Sequence, residues 1–429
     1  MTQQAPGIKK NGKEEYVYTV AELKRARYLG ITYIILALFV LWFFGLGAQG
    51  EGSSTFKLVK PLDRFKDFPN LVLPAAMFSY VVAAVFAGLG TVQLTRGFKK
   101  RGNVVLAIVL LLFVFSFLTW AAAGKAFSLV GMMQETVKRA IPIALGALSG
   151  VLSERVAIIN IAIEGQLLGG AFVAAVVGSS VHPAAGVVAA MLVGVVLGWV
   201  LAVMAIRYRV DQIIVGVVIN LFVLGLTSFM TQRILNNNAH FNNSEIFRAI
   251  EIPLLSDIPF FGSVLFKQNA FVYLTFIIMV GLTIGLFRTK WGLRSRSVGE
   301  HPEAADTLGV NVYAYRYLNT MLGGAVAGLG GAFFIQGSVG IFEENMTNGR
   351  GFIGLAAMIF GRWHPVGAVS AALVFGFAES LAGKLAILQT PIPSEFLGMA
   401  PYIATIVVVA GLVGKARPPA ADGQPYIKE

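Results

Sequence analysis

From Gly165 to Ile206 the chain runs for 42 residues without an Asp, Glu, Lys or Arg. About 20 such residues carry a helix across ~30 Å of hydrocarbon. The run is therefore long enough for two crossings, and His182-Pro183 in its middle supplies the turn between them. Seven further uncharged runs are long enough for one crossing each: 28–50, 68–95, 102–124, 212–232, 268–287, 317–342 and 396–414. Shorter stretches at 140–153, 351–361 and 363–378 are marginal and suit broken or re-entrant helices. The expectation is an all-α integral membrane protein, a polytopic helical bundle of ten to twelve spans.

Composition agrees. Apolar residues make up 56% of the 429, Gly contributes another 48 residues, and only 13% are charged, against about 25% in soluble domains. A soluble fold of this size has too little interior to hide that much apolar surface. An ordinary cytosolic enzyme, a disordered chain and a secreted disulfide scaffold are excluded. With no cysteine, thiolate metal sites and cysteine nucleophiles are excluded too.

The net charge of +12 is an orientation signal, because Lys and Arg concentrate in the cytoplasmic loops of membrane proteins. Basic residues cluster in the segment 1–27, at 96–101, at Arg207 and Arg209, between Arg288 and Arg316, and at Lys415 and Arg417. The segment 231–269 is close to neutral and is expected outside. An even number of crossings then places both termini in the cytoplasm. Glycines at four-residue spacing, such as Gly194/Gly198 and Gly324/Gly328, fit close helix packing in lipid. The pentapeptide Leu-Gly-Gly-Ala-Phe occurs at 168–172 and again at 329–333, as a duplicated bundle or chance would leave it.

Polar groups inside the spans are the candidates for function. The stretch 148–170 reads LSGVLSERVAIINIAIEGQLLGG. As one continuous helix it puts Glu164 about 15 Å beyond the cytoplasmic Ser153-Glu154-Arg155, near the midplane, with Asn160 a turn away on the same face. A carboxylate at that depth either faces a transport route or is held in a buried interhelical bond. Asn220, with Gln212 nearer the inner end, is a helix contact or a ligand group. The polar run Glu343–Gly351 contains Asn345 and a Gly-bracketed Arg350. It forms an outer gate, or it caps the next helix at Thr347 or Asn348 while Arg350 pairs with an acid. Phe172, Phe222, Phe352 and Trp363 are aromatic residues in or next to these stretches.

The inner loop 291–316 reads WGLRSRSVGEHPEAADTLGVNVYAYR. A Gly-Glu-His-Pro turn leads into a short helix that begins at Pro302 and is ended by Gly309. A short helix presented in a cytoplasmic loop has the shape needed to dock in a partner's groove. No Gly-Lys is followed by Ser or Thr, so the chain has no Walker A phosphate loop. Three of the four histidines precede proline, and no spaced metal-ligand set occurs.

Four motifs in order, LSERVAIINIAIEGQLLGGAF at 152–172, VDQIIVGVVINLF at 210–222, RSVGEHPEAADTLGVNV at 296–312 and ENMTNGRGFIGLAAMIFGRWHPVGA at 344–368, resemble the permease subunit of prokaryotic ABC importers of the simple-sugar and nucleoside class. The form Asn160-Ile-Ala-Ile-Glu164-Gly165 is closer to the nucleoside type. Ala157-Ile158 departs from the Gly-Val common in that class. The resemblance implies a type II importer fold in the prokaryotic plasma membrane and transport by alternating access.

It also implies partners: a cytoplasmic ABC ATPase that uses the ATP, a second and non-identical permease, and an external substrate-binding lipoprotein. The chain itself would be no enzyme and would bind no cofactor. Asn160, Glu164, Asn220, Asn345 and Arg350 would lie on the translocation path or its gates. Gly299, Glu300, Pro302, Glu303, Ala304, Ala305, Asp306 and Gly309 would form the ATPase-coupling loop. Residues 1–27 would be a cytoplasmic tail, 28–130 additional spans, 131–414 the permease core and 415–429 a second cytoplasmic tail. The main rival is a self-contained, ion-coupled secondary transporter, for which Glu164 would serve as a proton site.

Overall fold

The computed structural model describes residues 9–10, 13–14, 20–47, 52–60, 68–388, 393, 396, 398–399 and 417–428. Among them, nine helices are long and apolar enough to cross a membrane. The expected last span, 396–414, lies outside the described residues apart from three positions. The chain divides into two units, Met1–Leu129 with Leu385–Pro391, and Val130–Lys384 with Ile392–Glu429.

The first unit holds three spans, α1 (Val20–Phe39, continued by a π-helical turn Val40–Leu46), α2 (Ala75–Thr95) and α3 (Gly102–Ala121). In α1 and its extension the buried positions Tyr33, Ala37, Val40 and Phe44 fall on one helical stripe. Ile35, Leu38 and Trp42 are exposed, as expected where the solvent is lipid. Phe44 stacks on Trp120 of α3 with ring centroids 5.4 Å apart. Two short strands, β1 (Lys9–Lys10) and β2 (Lys13–Glu14), pair antiparallel ahead of the spans. At the other end β3 (Ser53–Lys57) is the centre of a small sheet, antiparallel to β4 (Leu71–Pro74) and parallel to β5 (Ala126–Ser128). These strands were not expected from the apolar runs.

The second unit is built on α4 (Leu129–Glu154), α5 (Ile163–Ser180), α6 (Pro183–Ile206) and α7 (Gln212–Met230). The charge-free run does split at His182-Pro183: the His182 ring nitrogen accepts from Ala184 N–H, and Pro183 takes the first helical position. Asp211 caps α7 in the same way. Beyond α7 a largely irregular segment carries β6 (Ile250–Glu251), the five-residue helix α8 (Phe261–Leu265) and β7 (Lys267–Gln268). Its backbone is tied to the far end of the bundle, with Ser244 N–H on Gly340 O at 2.9 Å and Phe247 N–H on Gln336 O at 2.7 Å.

α9 (Ala270–Arg288) returns, and α10 (Lys290–Glu300) and α11 (Pro302–Thr307) form the loop segment. α12 (Val312–Phe334) is followed by α13 (Arg350–Phe360), only 11 residues long, and by α14 (Pro365–Ile387). The core lies where α12 crosses α6 and α5. A Cβ on Gly194 would run into the Gly324 carbonyl, and one on Gly324 into that of Gly194, so the backbones pack at a distance only glycine permits. The two Leu-Gly-Gly-Ala-Phe copies meet at the α5–α12 crossing, where Gly170 faces Gly328 and Gly331 faces the Leu167 carbonyl. The spacing Gly281/Gly285 is different: nothing lies within 4 Å of a Cβ on Gly281.

Candidate functional site

The helix expected to run unbroken through 153–170 is interrupted. α4 ends at Glu154 and α5 starts at Ile163, with Ala157 between them in the left-handed region at φ 63°. Rise along one helix therefore does not locate Glu164, and Asn160 does not share a helical face with it. Unwound backbone at membrane depth needs hydrogen-bond partners from the protein, and α7 supplies them. Gln212 Oε1 accepts from Ile159 N–H at 2.6 Å. Asn220 donates to Ile161 O at 2.9 Å and accepts from Gly165 N–H at 2.7 Å. One amide thus spans the break from both sides.

Asn160 is buried in the break and donates toward Ser149 and Ser153 of α4, each at 3.4 Å, and toward Gln166 of α5 at 3.2 Å. Its own Oδ1 and the Gln166 amide nitrogen are buried without a partner among the described residues.

Glu164, 8% exposed, sits in the first turn of α5 and turns toward the loop before α13. Its Oε1 accepts from the Thr347 hydroxyl at 2.6 Å and from Gly349 N–H at 2.8 Å, while Oε2 accepts from Gly351 N–H at 2.6 Å. The carboxylate therefore caps the N-terminus of α13 from another helix, taking donors that α13 cannot satisfy itself and meeting the positive end of its dipole. The loop reaches this position through Asn345, Asn348 and Gly349, all at positive φ. Thr347 turns to Glu164 and makes no local cap.

Arg350 pairs with Glu379 of α14 at 3.3 Å, and Arg139 of α4 approaches the same carboxylate at 3.6 Å. The Arg350 guanidinium also lies over the Phe334 ring at 5.6 Å. Asn345 is exposed and apart from this cluster. Of the five pathway candidates, Glu164, Asn220 and Arg350 lie at joints between broken elements, Asn160 is enclosed within one, and Asn345 faces outward. Among the aromatics, Phe222 and Phe352 are exposed, Phe172 packs edge-on against Phe342, and Trp363 is buried.

The inner loop forms two helices where one short helix was expected. Trp291–Gly299 is helical within α10, so the turn narrows to His301, and α11 then starts at Pro302 as expected. Pro302 and Ala305 face inward, while Glu303 and Ala304 are exposed and Leu308 at the tip is 84% exposed. Gly309, at φ 79°, closes the helix.

Sequence reasoning missed the polar cluster beneath this loop. Glu154 at the end of α4 accepts from the Trp363 indole N–H at 2.5 Å. Arg155 donates to the Trp363 carbonyl at 2.9 Å and lies over Phe287 at 5.5 Å. Burial, then the charge of Arg155, holds the His364 imidazole below its ordinary pKa. The only sequence signal for this cluster was the Ser-Glu-Arg triplet at 153–155.

A family model described as a branched-chain amino acid transport system permease component matches residues 132–414. The chain belongs to that permease family. It is 42% identical over 306 residues to the guanosine ABC transporter permease protein NupQ of Bacillus subtilis, covering 68% of this chain and 95% of that protein. It is 40% identical over 298 residues to the nucleoside ABC transporter permease protein NupC of Lactococcus lactis, covering 67% and 93%. A putative glucose ABC transporter permease, TsgC13 of Haloferax volcanii, is 30% identical over 305 residues, covering 65% and 91%. No solved structure matches. The permease is thus a multi-pass protein of the prokaryotic plasma membrane, and no enzymatic family is indicated.

Proposed function

We propose that this permease forms the nucleoside pathway of an ATP-driven, binding-protein-dependent importer. The observation that carries the reading is the 42% identity to a guanosine permease across 95% of that protein's length. The outer face of α11 supports it, since exposed Glu303, Ala304 and Leu308 offer a docking knob to a cytoplasmic ATPase. The Bacillus and Lactococcus relatives come in unequal pairs: the chain is 42% identical to NupQ and 25% to the guanosine permease NupP, and 40% to NupC and 24% to the nucleoside permease NupB. A second, non-identical permease is therefore the partner we assign, with an external binding lipoprotein delivering substrate and both termini in the cytoplasm.

Within this reading the joints around Glu164, Asn160 and Asn220 transmit movement between the half-helices that border the path, and Asn345 and Arg350 belong to its outer gate. Exposed Phe222 and Phe352 are left as surfaces for a base. Uptake of labelled guanosine by cells carrying the full transporter, competed with a panel of nucleosides and simple sugars, tests the substrate assignment. Competition by nucleosides and none by sugars is expected. Competition by sugars alone would replace the nucleoside reading with a sugar one.

A further inference from the structure

The segment 417–428 folds across the α10–α11 segment and is bonded to it at successive points. Ala421 N–H donates to Gly299 O at 3.0 Å and Ala420 N–H to Glu300 Oε2 at 3.2 Å. Arg316 of α12 donates to Gln424 O at 3.1 Å, and the Tyr426 ring packs 5.4 Å from that of Tyr313. Lys428 closes the far end on Asp306 of α11 at 3.3 Å. These attachments fall on α10, α11 and the start of α12, so the segment is a strap over the coupling surface.

The centre of the strap carries an arrangement that these contacts do not explain. Asp422 faces Glu154 at the end of α4. Its Oδ1 is buried with no donor among the described residues, and Glu154 is 4% exposed. Two ionised carboxylates cannot bond to each other, whereas a carboxylic acid and a carboxylate can. The nearby cation is Arg316, itself 1% exposed, with Glu303 of α11 and the hydroxyls of Tyr313 and Tyr426 in its field. Arg155, beside Glu154 in sequence, is engaged by the Trp363 carbonyl and the Phe287 ring. The set of Glu154, Arg316 and the half-buried Asp422 is electrically neutral only when the two carboxyls hold one proton between them.

We infer that segment 417–428 is a proton-latched strap on the coupling segment, held down by a hydrogen bond in which Glu154 and Asp422 share one proton and released when that proton leaves. Burial supports the direction, raising Glu154 well above its ordinary value and pushing the Asp422 carboxyl up to about 7. The bond between them raises Glu154 and lowers Asp422, so the shared proton rests on Glu154. An acid whose pKa is raised by docking takes up a proton as it docks. Docking is therefore strongest below the ordinary carboxylate value of about 3.9 and is lost as pH rises through 7 and beyond, as first Asp422 and then Glu154 gives up its proton. Acidification of the cytoplasm tightens the strap.

The inference rests on reading α10–α11 as the ATPase-coupling segment. The test is made on the full permease without an ATPase, so the latch and that reading fail separately. The chain has no cysteine, and exposed Ala304 and Ile427 can be replaced by cysteine and spin-labelled as a unique pair. Between pH 5.5 and pH 8 the ratio of the short, docked distance to longer ones should fall about 30-fold. Asp422→Asn keeps a group able to donate to Glu154 but cannot ionise, and should hold the short distance at both values. A distance distribution that does not change with pH, or an Asp422→Asn protein that titrates like its parent, overturns the latch.

Discussion

Glu164 and Gly351 stand 187 residues apart in sequence and are joined by a 2.6 Å hydrogen bond from the glycine N–H to the carboxylate. With the bonds from Thr347 and Gly349, it fastens the start of α5 to the start of α13. Both helices begin at interruptions, so one buried anion holds two broken elements together.

Replacing Glu164 by Gln tests that role. The amide keeps one acceptor oxygen but turns an N–H₂ toward the Gly351 or Gly349 N–H, leaving a donor facing a donor. Loss of a charged hydrogen bond at a buried site costs about 1.5–3 kcal/mol. The variant should melt at a lower temperature in detergent, and uptake should fall further than the amount inserted in the membrane. Gly351→Ala should act alike, because its Cβ would lie 2.6 Å from the Glu164 backbone. An unchanged melting temperature in both proteins would remove the cap from the account.

Ala157 occupies a left-handed position at φ 63°, which costs an L-residue roughly 1–2 kcal/mol. Ala157→Gly should raise stability by up to about 1 kcal/mol once glycine's greater unfolded-state entropy is subtracted. Thermal unfolding reads the change directly. A lower melting temperature for the glycine variant would show that the turn is relaxed with alanine.

Asn220 serves the break with a donor and an acceptor at once. Asn220→Asp retains an acceptor for Gly165 N–H and loses the donor to Ile161 O. Asn220→Leu loses both. Each unmet backbone group in the bundle costs about 1–3 kcal/mol, so melting temperatures should rank parent, then Asp, then Leu. An equal loss for Asp and Leu would mean that only the Ile161 bond matters.

The coupling reading predicts a phenotype that is separable from folding. Leu308 is 84% exposed, and changing it to Asp removes no internal contact while placing a charge at the docking tip. Copurification with the ATPase should drop at least tenfold with membrane insertion unchanged. Replacing Glu303–Asp306 by Gly and Ser should act in the same direction. Retention of the ATPase by both variants would refute docking at α11.

The spans were legible because crossing a bilayer imposes one simple demand, a long uncharged run, and even the turn at His182-Pro183 could be read locally. The break at 155–162 was not. Its apolar residues fit a helix, and what unwinds them is hydrogen bonding from Gln212 and Asn220 more than fifty positions away. Glu164 stood out as a buried carboxylate, but its partners lie in a loop that only the fold brings near. Pro302 and Gly309 marked the ends of α11 by local chemistry. The helix at 290–300 was hidden by its charges, and the pairing of Glu154 with Asp422 by the 267 intervening residues.

The central claim is that this chain passes nucleosides only as part of an ATP-driven complex. Proteoliposomes containing the permease, its partner permease and the ATPase, with the binding protein outside and ATP inside, measure it directly as guanosine uptake. Uptake should require ATP and the binding protein and should be absent with the permease alone under a proton or sodium gradient. Gradient-driven uptake by the permease alone, with no ATPase present, would contradict it.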